Sequence, residues 1–79
     1  VDYILLVNQI SNVRPRSITI GYEPGGAFVR LDDGPFLAAT RDAVGELMIW
    51  LNEHDEYQRA GDSGDPREPE VTYKRRFRP

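Results

Sequence analysis

The chain offers few groups able to do covalent chemistry, and His54 is its single histidine. A helical metal ligand or acid–base pair wants a second His, Asp or Glu at i±3 or i±4, where side chains share a face. At those spacings His54 meets Trp50, Leu51, Tyr57 and Gln58. Those neighbours favour a partly buried, structural histidine over a catalytic one. Ser11, Ser17 and Ser63 stand in no G-x-S-x-G elbow. "PGG" at 24–26 is followed by neither Lys-Ser/Thr nor a helix start, so it reads as a turn rather than a phosphate cradle. Carboxylates pair at Asp32–Asp33 and at Asp42/Glu46, where a turn and a solvated helix face account for them. With no cysteine, zinc fingers, iron–sulfur sites, thiol nucleophiles and disulfides are excluded. We therefore expect no enzyme, and no catalytic, cofactor or metal site.

Binding is the better-supported class. The ending "VTYKRRFRP" has four cationic side chains and no acid, in a chain of net charge −3. Val71, Tyr73, Arg75 and Phe77 alternate with Thr72, Lys74, Arg76 and Arg78. That period of two reads as an edge strand, with charge on its exposed face guarding against aggregation. A purely electrostatic arm would not need the alternation. Nucleic-acid binding through Lys74, Arg76 and Arg78, helped by the hairpin arginines, is the alternative. A second candidate surface is acidic: Asp42, Glu46, Glu53 and Glu56 surround Ile49 on one face of an expected helix. Ile49 is suited to anchor a basic protein partner while the carboxylates steer its approach.

These residues need elements to position them. "RSITIGY" and "AFVRLDD" flank the turn "EPGG". An even loop places Tyr22 opposite Ala27, Ile20 opposite Val29, Ile18 opposite Leu31 and Arg16 opposite Asp33. An odd loop would set isoleucines against Arg30 and Asp32, so the pattern selects the even one. The other face then holds Phe28 over Gly21, Arg30 beside Thr19, and Ser17 opposite Asp32. "DDGP" is a further turn, and "FLAA" is a short strand or the lead-in to a helix. Thr40 suits an N-cap, with Asp42 in the first turn. Over 41–58 the 3.6 period puts Val44, Leu47, Met48 and Leu51 on one stripe, widened by Ala43 and Trp50.

"YILLVN" at the start reads as a strand apolar on both faces. A single helix covers only one face of the sheet, which leaves Ile4, Leu6 and Phe28 as parts of an exposed patch. A second copy is its simplest cover, so a homodimer is expected.

A chain of 79 residues is one domain with one small core. The opening apolar run is too short to span a bilayer and follows an acid, so the expectation is a cytoplasmic protein without a membrane anchor. Charge is uneven: residues 32–70 carry eleven acids against Arg41, Arg59 and Arg67. Within them "RAGDSGDPREPE", 59–70, has almost no apolar side chain and reads as a flexible polar linker. The expected fold is α+β: a small antiparallel sheet of three to five strands with one helix on one face, ordered roughly β-β-β-(β)-α-β. Residues 1–58 form the sheet-and-helix core, and 71–79 return as a basic strand completing the same domain. The expected function is a non-catalytic protein-binding module (accessory, regulatory or inhibitory), acting through a sheet face that includes Phe28 or through the acidic helix face.

Overall fold

The computed structural model of the chain describes residues 2–62 and 70–76. The fold is α+β, in the order α1 (Tyr3–Val13), β1 (Ser17–Glu23), β2 (Gly26–Leu31), β3 (Phe36–Ala39), α2 (Arg41–Glu53), β4 (Tyr57–Asp62) and β5 (Glu70–Arg75). Five antiparallel strands form one sheet in the order β3-β2-β1-β5-β4. Leu6 and Ile10 of α1 join Val44, Leu47 and Leu51 of α2 in one core with Ile18, Ile20, Val29 and Tyr73 of the sheet. Both helices therefore cover the same sheet face, and among the described residues the opposite face carries no helix.

The central hairpin has the register that alternation demands: Tyr22↔Ala27, Ile20↔Val29 and Ile18↔Leu31 on the core side, Gly21↔Phe28 and Thr19↔Arg30 on the other. Beyond Ile18↔Leu31 the ladder gives way to a side-chain clasp. Asp32 takes a left-handed conformation at φ 53, and its carboxylate accepts from the backbone N–H of Arg16 and Ser17 at 3.0 and 3.1 Å. Its own N–H donates to the Ser17 carbonyl at 2.8 Å. This clasp stands where an Arg16–Asp33 pair was expected.

The N-terminal segment is a helix rather than the expected strand. Over six residues an apolar run does not distinguish the two. Followed to Val13, its inward positions are Tyr3, Leu6, Val7 and Ile10, the i, i+3, i+4, i+7 spacing of an amphipathic helix. Asp2 caps it, accepting from the Leu5 N–H at 2.9 Å, and Arg14 closes it in the left-handed region at φ 50. The expected patch dissolves as a consequence. Leu6 is buried, Ile4 faces outward from α1, and Phe28 lies on the sheet face away from the helices. The homodimer thus loses the surface that motivated it.

α2 buries Ala43, Val44, Leu47 and Leu51, and Thr40 caps it through the Ala43 N–H at 3.1 Å. It ends at Glu53, so His54 to Gln58 are not helical as expected, and Tyr57 opens β4. β5 is also not at the edge of the sheet. It lies between β1 and β4, with Val71 and Tyr73 buried. The edge belongs to β4, which takes up Arg59–Asp62 from the expected linker. The remainder of that linker, 63–69, and the expected positions of Phe77 and Arg78 fall outside the described residues. A corner joins the two halves of the chain: the buried Tyr57 hydroxyl donates to the Pro15 carbonyl at 3.0 Å, and Arg75 donates to that of Arg14 at 2.9 Å.

Candidate functional site

Two helices on one sheet face create a feature that one helix could not, a trough between them on the outside of the helix layer. A depression of about 510 Å³ lies between the first turns of α1 and α2, reaching from Asp2 and Ile4 to Asp42 and Glu46. A second, of about 220 Å³, continues it along α2 past Ile49 and Trp50 to Glu53. Tyr3 and Glu46 line both. At 1.5 Å rise per residue, the stretch of α2 from Asp42 to Glu53 is about 16 Å long.

Two apolar side chains in this trough, Ile4 and Ile49, stand outside the core. Ile4 is 67% exposed and Ile49 60%. Tyr3 and Trp50 are half-buried and pack against the core from the trough side. Among the described residues four carboxylates, Asp2, Asp42, Glu46 and Glu53, line the two depressions, and no Lys, Arg or His does. Asp2 and Asp42 sit there for a local reason, since one caps and the other opens a helix whose N-terminal dipole favours negative charge.

The sequence placed Asp42, Glu46, Ile49 and Glu53 together on α2, and the structure brings them to this one face. It adds Asp2, Tyr3 and Ile4, which reading 3–8 as a strand had hidden. Glu56 leaves the group. Three residues past the end of α2, it lies 3.9 Å from the Arg14 guanidinium, and its carbonyl accepts from the Arg76 N–H at 2.7 Å. His54 stacks on Trp50, ring centroids 4.5 Å apart at 19°. It also lines a mixed-charge hollow of about 630 Å³ with Arg14, Arg75, Arg76 and three acids. Among the described residues no three His, Cys, Asp or Glu side chains converge as a metal ion would require.

Phe28 belongs to the helix-free sheet face. Its ring meets Phe36 edge-on at 5.0 Å and 89°, and the Arg30 guanidinium lies 5.1 Å over the Phe36 ring while donating to the Gly34 carbonyl. Lys74 shares this face by register, opposite Ser17. Arg76 is set apart at the mixed-charge end, and Arg78 lies outside the described residues. Among the described residues no helix is long and apolar enough to cross a membrane. Comparison with models of known protein families, with curated proteins and with solved structures finds no match.

Proposed function

We propose that this protein is a small non-catalytic binding module that docks a protein partner on the outer face of its helix layer. The observation that carries this reading is the trough: exposed Ile4 and Ile49, whose charged rim among the described residues is acidic throughout. Apolar anchors in a depression supply most of the binding energy of an interface, and rim charges govern the rate and selectivity of encounter. In this division Ile4 and Ile49 hold the partner, while Asp42, Glu46 and Glu53 steer it. Photo-crosslinking in the producing cells tests the assignment, with a benzophenone amino acid in place of Ile49 or of Phe28. A protein adduct through position 49, lost when Glu46 and Glu53 are changed to Lys, is the expected result. Adducts formed only through position 28 would move the docking surface to the sheet.

A second reading, nucleic-acid binding, is favoured by the helix-free sheet face, where Phe28 and Phe36 stand beside Arg30 and Lys74. Aromatic side chains on an open sheet stack on unpaired bases, and cations beside them meet phosphates. Fluorescence anisotropy with a single-stranded oligonucleotide at physiological salt separates the two. Tight binding that is lost when Arg30 and Lys74 together become Gln would select this reading; negligible binding is expected.

A further inference from the structure

We infer that the trough between α1 and α2 receives a basic amphipathic α-helix of a partner protein, an inference that rests on the docking reading above. The walls decide the form of the occupant. Both are helical, so neither offers the row of alternating N–H and C=O groups that a strand edge would, only the few first-turn N–H groups that the Asp2 and Thr40 caps leave over. An extended segment laid there would find carboxylates for a few of its N–H groups but no ladder for the rest of its backbone. A helix satisfies its own backbone and packs its side-chain ridges into the groove between two others. The run of about 16 Å along α2, which α1 walls with Asp2, Tyr3 and Ile4 at one end, matches three turns of such a helix at 5.4 Å each.

Charge decides the composition. Among the described residues the lining has four carboxylates and no cation, so a helix with Lys or Arg on both flanks of its apolar stripe gains on approach, and an acidic one is repelled. The stripe needs apolar residues at i, i+3 or i+4, and i+7, to reach from Ile4 and Tyr3 at one end to Ile49 and Trp50 at the other. Neither helix of a second copy of this chain fits. α1 contains no charged residue, and α2 has Arg41 alone against Asp42, Glu46 and Glu53.

The test uses the full chain and three fluorescein-labelled synthetic helices of about four turns on an alanine background. The first has a leucine stripe flanked by lysines, the second has the same residues scrambled to break the stripe, and the third carries glutamates for lysines. Two-dimensional NMR of the labelled protein reports both the site and the integrity of each variant's fold. The striped basic peptide is expected to bind at least about tenfold more tightly than either control. It should shift the amides of Tyr3, Ile4, Glu46, Ile49 and Trp50, and lose about tenfold in affinity on Ile49→Ser or on Glu46→Lys with Glu53→Lys. Equal binding of the scrambled peptide, shifts confined to the sheet, or no binding at millimolar peptide would each overturn the helical occupant. The crosslinking experiment separates the two levels of failure. An adduct through position 49 alongside a failed peptide test leaves docking standing and removes the helix, whereas no adduct removes docking itself.

Discussion

Phe28 lies across Gly21 on the neighbouring strand, so close that a Cβ added at Gly21 would overlap the aromatic ring. The glycine is buried, and that ring covers it on the sheet face away from the helices. Gly21→Ala should force Phe28 off its position and destabilise the domain by about 1–3 kcal/mol. Combined with Phe28→Ala, the added methyl should cost clearly less, giving a coupling of about 0.5–3 kcal/mol in a double-mutant cycle from urea denaturation. Strict additivity would mean that ring and glycine are independent.

The buried stripe of α2 and its trough face should respond very differently. Leu47 and Leu51 are fully buried, and truncating either to Ala should cost about 2–5 kcal/mol, enough to threaten so small a domain. Glu53→Ala on the exposed face should stay within about 0.5 kcal/mol of the parent. Comparable shifts in thermal midpoint for both classes would show that the core lies elsewhere.

Asp32 clasps the end of the β1–β2 hairpin. Its left-handed φ and the two backbone donors on its carboxylate suit Asp or Asn and no β-branched residue. Asp32→Asn should be tolerated within about 1 kcal/mol, whereas Asp32→Ala should cost about 1–2 kcal/mol through the loss of two exposed hydrogen bonds, whose donors turn to water, and a strained backbone. Amide hydrogen exchange at Arg16 and Ser17 reports the same event locally and should accelerate in the Ala variant.

Tyr57 links stability to alkaline pH. Burial raises its phenol above the ordinary value of 10.0, and the neighbouring Glu56 adds to the effect. Near neutral pH the phenol is protonated in both states, and its contribution to stability is complete. As pH climbs past 10.0, the unfolded chain releases this proton first, so the folded state is disfavoured progressively up to its own higher pKa. Tyr57→Phe should lose about 1 kcal/mol at neutral pH with the hydrogen bond to Pro15. The variant should also show a shallower fall in stability above pH 10.0 than the parent. Parallel pH profiles from denaturant titrations would remove Tyr57 as the titrating group.

The sequence by itself determined what local pattern controls. Alternation over 16–33 admits only one hairpin parity, because a one-residue slip would turn Ile18 and Ile20 to solvent. The 3.6 period of Val44, Leu47 and Leu51, behind a Thr40 cap, likewise fixes the inward face of α2 and so sets Asp42, Glu46, Ile49 and Glu53 outward. The alternation of Val71 and Tyr73 makes a strand wherever it pairs. Tertiary structure decided the rest. Whether "YILLVN" is helix or strand depends on what its apolar side chains can reach, and beside α2 the helical spacing of Leu6 and Ile10 buries both. Whether β5 sits at an edge or inside depends on β4, a polar segment whose strand character comes from pairing rather than from its own residues. The trough exists only because α1 lies next to α2. Ile4 and Ile49 are 45 residues apart in the chain, a separation that no periodicity spans, and packing alone puts them on one surface.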